Sequence, residues 1–234
     1  AIVWLILIYD DADIVVFNKP AGLAVQGGTG IKKSIDKMAT ALFPYDKISL
    51  VHRIDRETSG LLVVAKNQKA AQDLASQFQN KIASKEYLAL LQGNIPNKSG
   101  VIDNYVAKCQ VFEDETKTPK GTSVHRAITE YKVLGEAAGL LTWILFSPTT
   151  GRTHQLRLHS AFSLHAPIVG DDLYGAKSNK LDGVLGSFLK TQKLFLFAYR
   201  ITLRHPATGK TITLRADMPD FMRSVAKFLE FKLP

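Results

Sequence analysis

Asp55 lies between two arginines, Arg53 and Arg56, and a histidine, His52, comes just before them. Opposite charges within a few ångströms lower the pKa of a carboxyl group, so Asp55 is expected to stay ionised at neutral pH. An ionised aspartate can act as a nucleophile or as a base. The same residues also fit a loop that Asp–Arg pairs hold together without any chemistry, and at this point both interpretations stay open.

A second segment with chemical potential, residues 149–159, contains His154 and Arg157. If Thr153 caps a helix there, the two side chains lie three residues apart and share a face. A leucine on each side of Arg157 favours burial of its guanidinium, and a buried arginine needs an anionic partner. A remote aspartate or a phosphate would satisfy it. The alternative is an ordinary surface helix with basic residues.

Metal binding is a further candidate because the chain has six histidines. His154 and His159 are five residues apart, which is poor spacing for one helical face, and no His-Glu-x-x-His pattern occurs. Asp171 and Asp172 would suit a divalent ion, but such a pair before Leu-Tyr-Gly also favours a turn. The glycine-rich residues 27–30 are not followed by Gly-Lys-Ser or Gly-Lys-Thr, so a Walker loop is excluded.

Charge is the most informative property of the whole chain. Thirty lysines and arginines against 21 acidic residues give a formal net charge of +9, which favours a polyanionic partner because phosphate contacts release condensed counterions. A basic protein without a nucleic-acid partner is the alternative. No apolar run approaches the roughly 18 residues that cross a bilayer. The single cysteine, Cys109, excludes an internal disulfide and a cysteine-based zinc site, and fits a reducing compartment.

The elements that must position these residues are strands and helices in irregular order. Apolar, β-rich runs predict strands at residues 5–9, 14–18, 61–65, 86–91, 128–134, 140–146, 194–204 and 211–215. Apolar periodicity and capping residues predict helices after Ser34 and Asn67, from Thr153 to about Ser163, and over residues 219–231 with Phe221, Met222, Val225 and Phe228 inward.

Two further segments carry expectations of their own. Residues 2–8 are predicted to form a buried strand, and residues 94 to about 126 an irregular excursion over the surface. Several neighbouring strands are joined by turns too short for a parallel crossover. The sequence therefore predicts an α+β fold with a largely antiparallel sheet.

Taken together, these motifs resemble those of the RluA-type pseudouridine synthases. Residues 52–60 are similar to the signature of that family, and residues 151–159 to its later motif. Residues 11–22, 168–175 and 203–206 also fit, in the order of the family, so the resemblance covers nearly the whole chain. One departure is the alanine between His165 and Pro167, where the family often has Gly-His-Pro.

The resemblance implies the pseudouridine synthase fold, a central mixed and mainly antiparallel sheet with flanking helices and a catalytic cleft. It implies Asp55 as the catalytic aspartate, Tyr87 as the tyrosine that stacks on the target base, and Arg157 as the basic residue that pairs with the aspartate. By its strand position alone, Tyr87 would be a core or sheet-face residue. The other basic residues of the two motifs are expected to bind RNA: His52, Arg53, Arg56, Arg152 and His154.

The implied activity is the isomerisation of uridine to pseudouridine in structured RNA, without a metal or an organic cofactor. Residues 24–30 are most similar to the RluC branch, which modifies large-subunit (23S) ribosomal RNA. Transfer RNA as the target, a non-catalytic RNA-binding or ribosome-assembly factor, and a metal-dependent nuclease are the alternatives. We expect residues 1–234 to form one catalytic domain of a monomeric protein of the bacterial cytoplasm, without membrane association. An N-terminal S4-type RNA-binding domain is expected to be either trimmed or absent.

Overall fold

The computed structural model describes residues 6–107, 110–117, 123–175, 189 and 193–232. The chain folds as two compact units, of which the first contains Ala1–Lys85 and Phe197–Pro219 and the second Glu86–Leu196 and Asp220–Pro234. The single catalytic domain over residues 1–234 stays a prediction. Cys109 lies outside the described residues.

The strands of the described residues are β1 (Ile6–Asp10), β2 (Ile14–Lys19), β3 (Ser49–Leu50), β4 (Ser59–Ala65), β5 (Ser84–Gln92), β6 (Ser99–Ala107), β7 (Gln110–Phe112), β8 (His125–Ala137), β9 (Leu141–Pro148), β10 (Leu196–Arg204) and β11 (Thr211–Arg215). The α-helices are α1 (Ile35–Leu42), α2 (Gln68–Gln79), α3 (Gln155–Leu158) and α4 (Asp220–Phe228), with a 3₁₀ turn at Glu115–Lys117 and a π-helix at His159–Ser163. No helix of this described part has the length and apolar character that crossing a bilayer requires.

In the first unit, β2 pairs antiparallel with both β1 and β4. Every residue of β4 is buried, as expected for its apolar run. The register of β2 on β4 places Ile14 opposite Ala65 and Lys19 opposite Gly60. Lys19 therefore lies beside the first residues of β4, immediately after the turn that contains Asp55.

In the second unit, β9 pairs with β5 and β8, β8 with β6, and β6 with β7, all antiparallel. Pairing within the first unit is also antiparallel, except between β4 and β10, which run parallel. The predicted α+β class, with a mixed and mainly antiparallel strand arrangement, is confirmed. The α4 helix buries Met222 and Val225, as its periodicity predicted.

Some predictions of local structure were wrong. The segment from residue 94 to about 126 contains β6, β7 and the start of β8 rather than an irregular excursion. Asp103 and Asn104, residues of low β propensity, lie within β6, which hides the strand in the sequence. Eight residue pairs with β8 form this strand nonetheless, so a non-local pairing outweighs its local preference.

Burial also differs from expectation at two places. Ile6 and Leu7 are exposed, because β1 is the last strand at one end of the strand order. Phe228 is also exposed rather than inward, since it ends α4 and lies past the buried Met222–Val225 stripe.

Gly60 meets a constraint that only glycine satisfies. Ser59 and Gly60 pair with Phe197 and Ala198, at the parallel contact between β4 and β10. Gly60 has a φ of +108°, and a Cβ atom added there would lie 2.3 Å from the carbonyl oxygen of Ala198. A side chain would therefore push β10 away from β4, the strand that follows the Asp55 turn.

We expect Gly60→Ala to lower the free energy of unfolding by about 3 kcal/mol or more, because a backbone clash adds to the strain of a positive φ. Gly209→Ala is the matched control, since Gly209 also has a positive φ but a Cβ added there would meet nothing within 4 Å. That variant should lose only about 1–2 kcal/mol. Urea unfolding of both measures the difference, and equal losses would contradict the close-approach argument.

Candidate active site

Asp55 lies in a turn between β3 and β4 in the first unit. Asp55 is partly exposed, and its backbone carbonyl oxygen accepts a hydrogen bond from the Thr58 backbone nitrogen at 3.1 Å. Thr58 and Ser59 are buried, so the turn ends directly in the core strand β4. The carboxylate thus stands on a short turn with a rigid base.

Lys19 fastens this turn from inside the first unit. It is fully buried, and its Nζ donates to the carbonyl oxygens of Pro20 and Leu23, both at 2.9 Å, and of Arg56, at 2.8 Å. The Gly22 backbone nitrogen also donates to the carbonyl oxygen of Arg56 at 2.9 Å. Residues 20–23 are thereby tied to the residue that follows Asp55.

Burial lowers the pKa of Lys19 to about 7, and the charges of Glu57 and Asp55 oppose that shift. A buried amine that is close enough to sense Asp55 was not assigned any role from the sequence. The only sequence feature that could have indicated this role is the position of the lysine at the end of an apolar strand, just before Pro-Ala-Gly. Strand-end lysines are usually exposed, however, and only the fold reveals that this one turns inward.

His52 supports the same turn and is not positioned as a surface cation. Its Nε2 accepts a hydrogen bond from the Val63 backbone nitrogen at 2.9 Å, and its ring stacks on Phe78 with centroids 4.5 Å apart. Burial, with a smaller effect of the Lys85 charge, lowers the pKa of His52 to about 3. A neutral imidazole whose Nε2 already accepts from the backbone cannot pair with a phosphate as a cation. The RNA contact of His52 therefore stays a prediction that these contacts do not favour.

Arg53 and Arg56 are both exposed. Arg53 donates from Nη1 to the Gln26 side-chain oxygen at 3.3 Å, and Arg56 donates from Nε to the carbonyl oxygen of Gly22 at 3.0 Å. Their guanidinium groups therefore flank the Asp55 turn on the outside of the first unit. The RNA contacts of both arginines stay predictions, and this exposure is compatible with them.

Arg157, in the second unit, is buried and paired with an aspartate. Its Nε donates to Asp171 Oδ2 at 2.8 Å and its Nη2 to Asp171 Oδ1 at 2.6 Å. Nη2 also reaches Asp172 Oδ1 at 3.1 Å, and the guanidinium carbon lies 5.2 Å from the centre of the Tyr174 ring. The prediction that Arg157 is buried with an anionic partner is confirmed, and a remote aspartate is that partner.

The carboxylate of Asp171 is fully committed by these contacts. Besides the guanidinium, its Oδ1 accepts hydrogen bonds from the backbone nitrogens of Leu173 and Tyr174. A carboxylate that caps a turn and neutralises an arginine is poorly placed to bind a divalent ion. The geometry therefore favours the turn over the metal alternative for Asp171 and Asp172.

The start of α3 departs from the predicted cap. His154, not Thr153, precedes the first helical residue, and it adopts a left-handed conformation with φ +55°. Its Nδ1 lies 2.9 Å from the Tyr174 hydroxyl. Arg152 is exposed and donates from Nε to the Arg126 carbonyl oxygen at 3.1 Å. RNA binding by Arg152 and His154 stays a prediction.

A chain of buried hydrogen bonds holds the helix that carries Arg157. Gln155 donates to the Thr129 hydroxyl, which lies 2.9 Å from His159 Nδ1. His159 Nε2 lies 3.0 Å from Asn104 Oδ1, which can only accept, so Nε2 carries the proton and Nδ1 accepts from Thr129. Burial lowers the pKa of His159 to about 4, which keeps the ring neutral. These hydrogen bonds thus connect the Arg157 helix with three other elements, β6, β8 and the π-helix.

Tyr87 lies on β5, is 9% exposed, and faces Phe146 of β9 in the strand register. The same strand binds the segment that leads to Asp171, because the Val169 backbone nitrogen donates to the carbonyl oxygen of Leu90 at 2.9 Å. In the second unit, β5 therefore supports both Tyr87 and the partner of Arg157. Stacking of Tyr87 on a target base stays a prediction.

The predicted site residues divide between the units. Asp55, with its neighbouring arginines, belongs to the first, whereas Tyr87 and Arg157 belong to the second. The pairing of Arg157 with Asp55 and the shared catalytic cleft therefore stay predictions.

A trio of metal-ligand types occurs among the described residues, formed by Asp11, Asp13 and His205. His205 Nε2 lies 2.6 Å from Asp11 Oδ2, and its Nδ1 accepts from the backbone nitrogens of residues 207 and 208. Asp11 Oδ1 accepts from the backbone nitrogens of Asp13 and Ile14. With both ring nitrogens and this carboxylate engaged, the trio fits a brace between two turns better than a metal site.

We expect Lys19→Met to lower the free energy of unfolding by about 3 kcal/mol, because three carbonyl oxygens lose their charged donor. Lys69→Met, at an exposed lysine of α2, is the control and should change stability by less than about 0.5 kcal/mol. Chemical denaturation of both variants measures the difference. A Lys19 variant as stable as the wild type would show that the buried amine does not hold the turn.

We expect Arg157→Met to cost about 3–5 kcal/mol of stability, because it leaves Asp171 buried without its cation. Arg126→Met provides the comparison within the same unit. Arg126 also forms a two-point pair, with Asp103, but both side chains are largely exposed, so its loss should cost less than about 1 kcal/mol. Urea unfolding with equal losses for the two variants would argue against burial as the cause.

Known proteins share both the sequence and the strand arrangement. The sequence pattern of the RNA pseudouridylate synthase family matches residues 13–162, a stretch that includes both motifs. The "Ribosomal large subunit pseudouridine synthase C" of Vibrio vulnificus is 37% identical over 225 residues, which are 96% of this chain and 69% of that protein. The "RNA pseudouridine synthase 4, mitochondrial" of Arabidopsis thaliana is 41% identical over 200 residues, which are 75% of this chain and 42% of that protein.

A solved structure agrees with this assignment. The structure of "Human RNA Pseudouridylate Synthase Domain Containing 4" superposes with a TM-score of 0.80 at 25% identity, and covers 97% of this chain and 94% of that one. The strand arrangement, the two motifs and the sequence similarity thus agree, and we conclude that this chain belongs to the RNA pseudouridylate synthase family.

Proposed function

We propose that this chain converts uridines of large-subunit ribosomal RNA to pseudouridine, with Asp55 as the catalytic carboxylate. The observation that carries the proposal is the placement of Asp55 on a short turn, held by the buried amine of Lys19 and flanked by two exposed arginines. The choice of RNA is supported by relatives named as large-subunit ribosomal synthases, such as those of Vibrio vulnificus and Rickettsia felis, at 37% and 39% identity.

The reaction exchanges a carbon–nitrogen bond for a carbon–carbon bond. The bond between ribose C1′ and uracil N1 breaks, the base turns, and C1′ joins C5, which loses its proton while N1 gains one. A base inside a helix cannot turn, so the nucleotide must first leave the stack, at a cost of a few kcal/mol. Stacking on an aromatic ring returns about 1–3 kcal/mol per base, which is the role proposed for Tyr87.

Asp55 acts in its ionised form, whether it attacks C1′, adds to C6 or removes the C2′ proton. Each of these steps needs a carboxylate at a fixed position beside the flipped nucleotide. The turn supplies that position through its backbone, because the carbonyl oxygen of Arg56 accepts from both Lys19 and Gly22. Asp55 can therefore be replaced by asparagine without removing any of these backbone contacts.

Arg157 is proposed to orient Asp55, and its own pairing limits how it does so. Asp171 already balances the guanidinium charge, and Asp172 adds a second carboxylate. An arginine that two carboxylates already balance lowers the pKa of a further carboxylate only weakly. We therefore propose that Arg157 fixes the orientation of Asp55 more than it shifts the pKa of that carboxyl group.

The remaining cost of extracting the base is met by contacts with phosphates. Exposed Arg53 and Arg56 beside Asp55, and Arg152 in the other unit, are proposed for these contacts. We further propose that the protein works as a monomer in the bacterial cytoplasm, in keeping with its bacterial relatives. Transfer RNA as target and a non-catalytic binding role are less well supported, because these relatives are named as ribosomal synthases.

We expect Asp55→Asn to reduce turnover by at least about a thousandfold while the fold and RNA binding persist. Tritium release from RNA that carries 5-tritiated uridine measures the reaction directly. Asp220→Asn, at a side chain that is 96% exposed, is the control and should release tritium at the wild-type rate. Wild-type release from the Asp55 variant would refute the role of this carboxylate.

The same assay tests the RNA target. We expect release from large-subunit ribosomal RNA transcripts and none from transfer RNA. Release from transfer RNA alone would overturn the ribosomal target but leave the catalytic assignment of Asp55 in place.

A further inference from the structure

The glycine-rich loop of residues 26–33 is a built feature of the first unit. It leaves the core after the buried Val25 and ends at α1. Its base is closed by hydrogen bonds from the Ile35 nitrogen to the Ala24 oxygen at 3.0 Å and from the Asp36 nitrogen to the Val25 oxygen at 3.1 Å. The Ile31 nitrogen donates to the Gly28 oxygen at 3.0 Å, so the tip is itself a turn. This loop therefore has a defined position.

The lysines of this segment are exposed, whereas the carboxylate of its acidic residue, Asp36, is turned toward the base of the loop. Lys32, Lys33 and Lys37 are exposed. Asp36 points its carboxylate to the base of the loop, where it accepts from the Gly27 nitrogen at 2.9 Å and from the Lys37 nitrogen at 2.6 Å. Burial raises the pKa of Asp36, but these bonds outweigh burial and lower it. The charge of Lys37 also lowers the pKa of Asp36. Lys32 and Lys33 are the two exposed lysines within the loop itself.

The loop is joined to the Asp55 turn by side-chain and backbone contacts. Gln26, its first residue, accepts a hydrogen bond from Arg53 Nη1 at 3.3 Å. Four residues earlier, Gly22 exchanges hydrogen bonds with Arg56. Residues 22–26 thus run beside the segment that contains Asp55, and the lysines lie on a loop that starts there.

Two glycines leave the tip of this loop without bulky side chains. Gly28 and Gly30 lie at the exposed tip and carry no side chain that would hold another chain away. Gly30 has a φ of +77°, and a Cβ added there would meet nothing within 4 Å. A polymer backbone can therefore approach the loop closely, next to two lysines.

We propose that Lys32 and Lys33 bind phosphates of the RNA strand that flanks the target nucleotide, so that this loop positions the RNA backbone without reading its sequence. The proposal rests on the proposed function for the RNA that it binds. A phosphate suits these side chains because a lysine ammonium acts as a compact charge, and phosphate contacts carry no direct base information. The loop holds the strand while Arg53 and Asp55 face the nucleotide beside it.

Binding of a fluorescein-labelled, uridine-containing RNA stem-loop tests the proposal, by anisotropy between about 50 and 200 mM salt. We expect Lys32→Ala with Lys33→Ala to weaken binding about tenfold and to reduce the slope of log affinity against log salt by about 1.4–1.8, since each lost phosphate contact removes about 0.7–0.9. Lys32→Arg with Lys33→Arg should keep the wild-type slope. A slope unchanged in the alanine variant overturns the proposal.

The matched control removes the same charge elsewhere in the first unit, through Lys69→Ala with Lys210→Ala, both at exposed positions. Its slope should stay close to wild type, and a reduction equal to that of the loop variant would mean that only net charge matters.

Gly28→Asp provides an independent test of binding by the loop. A Cβ added at Gly28 would meet only Ile31 Cδ1, at 3.6 Å, so the fold tolerates the change while the new charge repels phosphate.

Gly28→Asp should therefore bind the stem-loop more weakly than wild type with an unchanged unfolding midpoint, and wild-type affinity would count against the loop. The binding result is independent of catalysis. If the wild type releases no tritium, the proposed function fails, yet the comparison of slopes still decides whether this loop binds RNA. If tritium is released and the slopes are equal, the loop proposal alone fails.

Discussion

A buried amine among three carbonyl oxygens is the constraint on which the Asp55 turn depends. Lysine suits this position because its three N–H donors match the carbonyl oxygens of Pro20, Leu23 and Arg56. An apolar residue would remove this charged donor from all three oxygens. Burial opposes the positive charge, while the negative charges of Glu57 and Asp55 favour it. The catalytic candidate thus helps to stabilise the cation that fixes its own turn.

The second unit also contains a buried cation, Arg157, that depends on polar partners. A short α-helix of four residues cannot hold a buried guanidinium by itself, and it continues as a π-helix rather than as regular helix. Asp171 provides the charge and the His159 hydrogen-bond chain provides the support. π-Helical turns often occur at functional sites.

These contacts change how the net charge of +9 is understood. Lys19 and Arg157 are buried and act within their units, and Lys66 is bound by Asp10 and Asp46. Such cations contribute to the count without being presented to a polyanion. The charge that RNA can meet in the first unit is carried by exposed residues, among them Arg53 and Arg56 on the Asp55 turn and Lys32 and Lys33 on the neighbouring loop. Position, more than the total, is what supports RNA binding.

The sequence by itself determined the fold class, most strands, the Asn67 cap of α2, and the two motifs, because these depend on residues a few positions apart. Asn67 Oδ1 accepts from the Ala70 nitrogen at 2.9 Å, as its position before an apolar repeat predicts. Tertiary structure alone decided which partner each buried polar group meets. Asp171 for Arg157, three carbonyl oxygens for Lys19, and a backbone nitrogen for His52 all come from segments that packing brings together. Local propensity does not predict such partners, since a buried polar or charged group pairs with whichever opposite charge or dipole the fold places beside it.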